Sequence, residues 1–346
     1  MSSPSSTPWH FWAVIDGHSG WETSASLAER LIPSVGGALR GLYSRDPSPS
    51  SDAIDDAIKR AFVSLDNEYV YEAAERALKT DSRAQAALIL SQAYAGAVSM
   101  LAFYDQALGR VKIALTGDLR AVRGRSVNGK WEAKALTIEQ DGNNLEEAER
   151  IRKEHPGEPD VIKDGRVLGY QPTRVFGDAG LKWSVETQHL IRTKCLGPKP
   201  RDIVKTPPYV NAEPVVTTTE VQAGDFLILA SDGLWDSLTS EEAVTLVGAL
   251  VDEERAKRRR PAGQSRARSI SAIPTPPESK EKTTLYKYWG IPKRFVNVDT
   301  NASTHLIRNA LGGEDIETMT ALLTRTGALS RRLRFVVISL FTSMPP

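Results

Sequence analysis

Three apolar stretches of strand-like composition each run into an aspartate beside a glycine, and no other feature constrains the chain as much. "FWAVIDGHSG" leads to Asp16, Gly17 and His18; "VKIALTGDLR" leads to Gly117 and Asp118; "DFLILASDGLWD" leads to Asp232 and Gly233, with Asp236 four residues on. Aromatic and β-branched runs bounded by Gly and Asp read as buried strands. Each would place a carboxylate at a strand end, next to a glycine that permits a tight turn or a close backbone approach. Carboxylates gathered in one place repel one another unless a cation sits among them. Hard divalent ions such as Mg²⁺ and Mn²⁺ take oxygen ligands and keep several waters, so a few acids at a rigid rim suit them. Asp-Gly also ends ordinary hairpin strands; the repetition after three buried strands tips the reading toward metal. His18 taken alone reads better as a rim histidine bonded to backbone. Gly17-His18-Ser19-Gly20 is not a serine-hydrolase elbow, because G-x-S-x-G needs glycine where Trp21 stands.

The rest of the chain supplies alternating blocks of helix and strand. "ETSASLAERLIPSVGGALRGLY" has helical spacing and is expected to break near Pro33 or Gly36-Gly37; "SPSSDAIDDAIKRAFVSLDNEYVYEAAERAL" reads as one long capped amphipathic helix. "AYAGAVSMLAFYD", "RVKIALTGD", "RAVRGR" and "WEAKALT" read as an antiparallel meander, followed by the helix "NLEEAERIRKEHP". The strands "AEPVVTTTEV" and "DFLILASDG", the helices "SEEAVTLVGALV" and "ASTHLIRNALGG", and a final strand "LRFVVISLF" complete the set. Strands and helices come in blocks, so the fold class is α+β with layered sheets. Residues 1–10 are expected to be a disordered tail and 11–346 a single domain. A basic, Pro/Ser-rich stretch over 252–284 has little to bury and reads as a disordered insertion within that domain.

Composition narrows the functional classes. A formal charge of +1 over 346 residues gives no electrostatic footprint for nucleic acid. No apolar run approaches the ~20 residues that span a bilayer. Cys195 is the only cysteine, so an intramolecular disulfide and a Cys-rich zinc site are excluded and a reducing compartment is expected. The opening "MSSPSSTPWHF" shows neither a signal-peptide pattern nor an Arg-rich presequence.

Taken in order, the motifs resemble the PPM/PP2C family of metal-dependent protein serine/threonine phosphatases. "FWAVIDGHSG" is similar to the family's DGH motif, "AYAGAVSMLAFYD" to its following core strand, and "ALTGDLRAV" to G-D-S-R-A with Leu119 in place of Ser. "ALTIEQDGNNLEEAERIRKEHP" resembles the L-T-x-D-H region and "ASDGLWDSLTSEEAV" the S-D-G-L-W-D motif. "RVLGYQPTRVFGDAGLKW", "KTPPYVNAEPVVTT" and "THLIRNALGG" resemble the branch that contains the pyruvate dehydrogenase phosphatases. The resemblance implies an αββα sandwich, two antiparallel sheets packed face to face and flanked by helices. It implies two Mg²⁺ or Mn²⁺ ions held by Asp16, the Gly17 carbonyl and Asp232, with Asp118, Asp232 and Asp236 at a weak third site, and His18 as general acid. The reaction would be direct hydrolysis of phosphoserine or phosphothreonine by metal-activated water. The phosphorylated E1 component of pyruvate dehydrogenase would be the phosphoprotein partner and the mitochondrial matrix the location, with the cytoplasm as the alternative because no presequence is visible.

Two departures from the family pattern carry a second reading. The resemblance implies an acid on a strand before the DGH motif and an Asp opening the last strand. Nothing acidic precedes Asp16, and Arg334 passes directly into Phe335. The alternative to an enzyme is therefore an impaired pseudophosphatase, or a truncated chain, that binds phosphoproteins without efficient turnover.

Overall fold

The computed structural model describes residues 8–259, 285–287, 289–326 and 337–341. In chain order the elements are β1 (Trp9–His18), α1 (Glu22–Arg45), α2 (Ser51–Asn67), α3 (Ala73–Lys79), α4 (Arg83–Ile89), α5 (Ser91–Tyr94), β2 (Gly96–Asp105), β3 (Arg110–Thr116), β4 (Arg120–Val127), β5 (Lys130–Ala135) and α6 (Leu145–Glu154). They continue with β6 (Ile162–Lys163), β7 (Arg166–Val167), β8 (Phe176–Gly177), α7 (Val185–Cys195), β9 (Val215–Glu220), β10 (Phe226–Ala230), α8 (Asp232–Ser237), α9 (Ser240–Arg258), α10 (Ala302–Ala310), α11 (Ile316–Leu323) and β11 (Val337–Phe341). The mixture of helices with antiparallel sheets agrees with the α+β reading. Two compact units are present: Met1–Leu119 with Ile138–Glu220, and Arg120–Thr137 with Val221–Pro346. No helix among the described residues is long and apolar enough to cross a membrane.

The first unit is built on a sheet in the order β1-β2-β3-β9, with β8 also pairing with β2. Along β1, Trp9, Phe11, Ala13 and Ile15 share one face, as the two-residue period of a strand requires, and pack on the helical core. Leu27, Leu31, Val35, Leu39 and Tyr43 recur every four residues and are all buried, forming the stripe that α1 lays into that core. This stripe explains why α1 does not break at Pro33, contrary to the sequence expectation. Pro33 sits on the exposed side, where the carbonyl it leaves without a backbone donor can be hydrated, and burial of the stripe outweighs the usual cost of an interior proline. The expected long second helix is also continuous, but Glu68–Glu72 forms a π turn between α2 and α3. Trp9 and His10 belong to β1, so the last part of the expected tail is strand; residues 1–7 lie outside the described residues.

The expected meander is divided between two sheets. β2 pairs with β3 in the first unit, whereas β4 pairs with β5 and β10 in the second, so the chain leaves the first sheet at Gly117-Asp118-Leu119. The second unit's sheet runs β11-β10-β4-β5. Its core joins Val122, Phe226 and Ile228 of the sheet to Val244, Val247 and Leu250 of α9 and Leu306 of α10. α9 opens with a capping box between Thr239 and Glu242 and runs to Arg258. Asp252–Arg258, assigned from sequence to the disordered insertion, are therefore its last turns; residues 260–284 lie outside the described residues.

A buried network on α6 organises the first unit around the turn after β3. The Glu147 carboxylate accepts bonds from Arg174 Nη2 (2.6 Å) and Nε (3.0 Å) and from Arg150 Nη2 (2.8 Å), and Thr173 Oγ1 lies 2.9 Å from it. Thr173 N–H donates to the Gln140 carbonyl, and Gln140 Oε1 accepts from Gly117 N–H at 2.7 Å. Burial alone would raise the Glu147 pKa, but the Arg174 and Arg150 guanidiniums hold it down to about 2. A depressed carboxylate contributes stability that is fully present above its unfolded value of 4.5 and is lost as pH falls through about 2. Urea unfolding of the native chain and of Glu147→Gln across that window should show the variant lacking roughly 3 kcal/mol of the acid-dependent loss. Equal slopes in the two proteins would remove Glu147 from the account.

Candidate active site

β1 does not stop at Asp16. The ladder with β2 continues through Asp16↔Val98, Gly17↔Ala97 and His18↔Gly96, so Asp16 and His18 point from the same face, opposite the one that covers the helical core. Beyond the end of β3, β8 takes up the other edge of β2, with Gly96↔Gly177 and Ala97↔Phe176. His18, Gly96 and Gly177 thus lie side by side on three strands, and Asp178 follows directly. His18 Nε2 and Asp178 Oδ2 meet at 2.7 Å across β2.

Gly96 makes that meeting possible. A Cβ at this position would collide with His18 Nε2 and lie 2.8 Å from Asp178 Cγ, so only a residue without a side chain leaves room for the pair. Asp178 adopts left-handed backbone angles (φ 46, ψ 42) at the start of a short 3-10 turn. It is held there from below. Asp66 accepts from Gly177 N–H at 2.9 Å and from Lys182 Nζ at 2.6 and 2.7 Å, and Lys182 also donates to the Val175 carbonyl at 2.8 Å. The segment carrying Asp178 is therefore clamped on both sides of that residue.

Electrostatics around His18 follow from this packing. Burial lowers the imidazole pKa, but the Asp178 hydrogen bond and the charges of Asp178, Asp118 and Asp16 outweigh it, and the net shift is upward. Three carboxylates from β1, the β3–β4 turn and the β8 exit thus act on one imidazole. Asp232 and Asp236 belong to the second unit. Asp232 opens α8 after the N-cap Ser231, and Asp236 lies one turn later on the same helix face, 3.6 Å from Lys287 Nζ. The sequence places Asp232 at the end of a strand, with Asp236 four residues on. In the structure β10 ends at Ala230 and they are helical, because "DGLWDS" turns at once into a capped helix.

Asp178 is the residue that sequence reasoning missed, yet its signal is present. Gly117-Asp118 follows the apolar end of β3, and Gly177-Asp178 follows Val175-Phe176 in the same way. As for a metal, Asp16 and Asp118 of the first unit offer oxygen donors, the type that suits Mg²⁺ or Mn²⁺, and Asp232 and Asp236 of the second unit offer the same type. Among the described residues no three His, Cys, Asp or Glu side chains gather into one metal-binding group. Mg²⁺ typically takes one or two carboxylates and keeps its remaining waters, so the pair Asp16 and Asp118 in the first unit suits it without an enclosed protein cage.

The protein phosphatase 2C profile matches residues 1–270. The chain belongs to this family. It is 39% identical over 335 residues to a protein phosphatase 2C homolog of Schizosaccharomyces pombe, covering 94% of this chain and 71% of that protein. It is 35% identical over 345 residues to the mitochondrial [pyruvate dehydrogenase [acetyl-transferring]]-phosphatase 1 of Saccharomyces cerevisiae, covering 94% of this chain and 60% of that one. The mitochondrial [pyruvate dehydrogenase [acetyl-transferring]]-phosphatase 2 of Homo sapiens is 32% identical, over 82% of this chain and 53% of its own length. The chain therefore spans little more than half the length of the two pyruvate dehydrogenase phosphatases.

Gly96→Ala tests the geometry of the pair. The added methyl should force His18 and Asp178 apart, which imidazole ¹⁵N NMR would register as loss of the hydrogen-bonded nitrogen signal. A variant that keeps the 2.7 Å contact would show that the gap over β2 is not what admits it.

Proposed function

We propose that this protein phosphatase 2C family chain is a metal-dependent protein serine/threonine phosphatase. We further propose that it acts in the mitochondrial matrix on the phosphorylated E1 component of pyruvate dehydrogenase. The observation that carries the enzymatic reading is the His18–Asp178 pair beside Asp16 and Asp118. The names of the Saccharomyces cerevisiae and human relatives support the substrate and location.

In the first unit, Asp16 and the Gly17 carbonyl would contribute oxygen ligands to Mg²⁺ or Mn²⁺, with Asp118 contributing to a weaker site. Such ions would supply Lewis acidity that activates water toward a phosphate ester. The chain's own contribution is at the leaving group. A serine alkoxide leaves poorly, and the imidazole of His18, whose pKa the Asp178 hydrogen bond and the surrounding acids raise, can deliver a proton to that oxygen. Asp178 fixes the ring that carries the proton, so His18 starts from one orientation.

Two substitutions and a change of substrate test this reading. His18→Ala should lower turnover of phosphoserine peptides by about 10²–10⁴-fold but affect p-nitrophenyl phosphate much less, because that leaving group needs no proton. Asp16→Asn, or chelation with EDTA, should abolish the metal-dependent rate on both substrates. Equal losses on the two substrates in His18→Ala would refute the proton-donor role. The second reading, a phosphoprotein-binding chain with slow turnover, rests on the direct passage from Arg334 to Phe335. Inserting Asp-Asp between these residues should raise activity and tighten Mn²⁺ dependence if a ligand is lacking there, and should leave both unchanged if it is not.

A further inference from the structure

Asp178 faces two ways. One carboxylate oxygen meets His18, and the residue also lines a cavity of about 340 Å³ whose walls include Tyr94, Tyr170, Trp183, Lys199 and Arg201. A second cavity of about 470 Å³ shares Lys199 and Arg201 and adds His189 and Arg192. All of these residues belong to the first unit. The charges lining the two cavities are positive on balance. Arg192, Lys199 and Arg201, with His189, face Asp202 and Asp178 among the lining acids; Asp202 pairs loosely with the exposed Lys199 at 3.6 Å, and Asp178 is engaged by His18.

The first cavity also presents hydrogen-bond donors without protein acceptors. Tyr94 Oη and Arg201 Nη1 are buried and have no hydrogen-bond partner. Leaving such groups unpaired is costly, so each points to an acceptor supplied from outside the chain. Burial, with the nearby Cys195 thiol, pushes the Tyr94 hydroxyl up to about 12, so it remains a donor. The Arg201 guanidinium lies 4.4 Å from the centre of the Tyr170 ring, a cation–π contact that holds its fork in place before any ligand arrives. An aromatic floor, cations at the rim and donors awaiting acceptors match an extended segment that carries carboxylates.

We propose that these two neighbouring cavities, which share Lys199 and Arg201, bind an acidic peptide segment flanking the phosphorylated residue of the substrate. This rests on the reading of His18 as the centre that handles the phosphoresidue, since Asp178 is the wall shared between that centre and the cavity. The cavities would then select among phosphoproteins by the charge beside the phosphoserine, while the acids around His18 take part in the chemistry.

The test uses the full chain and pairs of phosphoserine peptides that are identical except for Asp and Glu, or Ala, on one flank and then on the other. The ratio of KM values is read within each protein, so a general change in activity cancels. Kd ratios are read in parallel by fluorescence anisotropy. The native chain should prefer the acidic peptide on one flank by about fivefold, which one or two exposed ion pairs supply, and the preference should shrink at high salt. Lys199→Glu should erase or reverse it, and Arg201→Gln should reduce it. The Lys199 side chain is 74% exposed, so that variant remains informative if Arg201→Gln does not fold. A ratio of one on both flanks in the native chain, or an unchanged ratio in Lys199→Glu, would overturn the proposal. Loss of the preference in millimolar succinate, with no salt effect, would likewise overturn it in favour of a small-anion site. Hydrolysis of p-nitrophenyl phosphate reports separately on the centre: if it is absent, the phosphatase reading falls and the Kd ratios still decide the cavity.

Discussion

The buried ion pair between Asp66 and Lys182 holds the geometry of the first unit's site in place. Both side chains are almost fully removed from solvent, and their partners are complete: Lys182 uses its ammonium on both Asp66 oxygens and the Val175 carbonyl, while Asp66 also accepts from Gly177 N–H. A pair of this kind gains little net stability over an apolar substitute, because desolvation cancels much of the attraction. What it supplies here is position. The chain on either side of Asp178 has one place to go, so the left-handed backbone at that residue and the approach of its carboxylate to His18 are settled before any ligand is present.

The same logic recurs around Gly117. Gln140 makes three bonds to the end of β3 and its turn, and the Glu147–Arg174 contact carries this constraint to the segment that leads into β8. Asp118 and Asp178 sit far apart in sequence, yet each follows a glycine fixed by a buried polar side chain. A half-satisfied network in such a place would be worse than none. Here the carboxylates of Glu147 and Asp66 are fully engaged, and the two glycines they and Gln140 hold bring Asp118 and Asp178 to bear on one imidazole.

Much of this was legible in the residues. The strand character of "FWAVIDGH", "AVSMLAFYD" and "FLILA" was read correctly, as were α6, α9 and α10, because their periodicity and caps are local signals. Asp16, His18 and Asp118 are legible as candidates from their motifs, and the structure brings the charges of both acids to bear on His18, although β1 runs on past Asp16. The limits were those of non-local physics. Pro33 could not be recognised as harmless without knowing which side of α1 faces out. The division of the meander between two sheets depends on pairings that Gly117-Asp118-Leu119 does not encode by itself. Asp178 was passed over because its importance comes from Gly96, a residue distant in sequence whose contribution is the absence of a side chain. Asp232 reads from sequence as a strand-end acid because a six-residue helix carries too little periodicity to announce itself.

Cys195 closes α7 with its thiol buried and 3.6 Å from the Ala77 carbonyl of α3, and burial raises its pKa. It is the only cysteine in the chain. A protonated, enclosed thiol reacts with alkylating reagents only when the surrounding structure opens. The α3–α7 contact therefore carries its own clock: the rate of labelling at one atom measures how often this part of the molecule breathes, without any engineered probe.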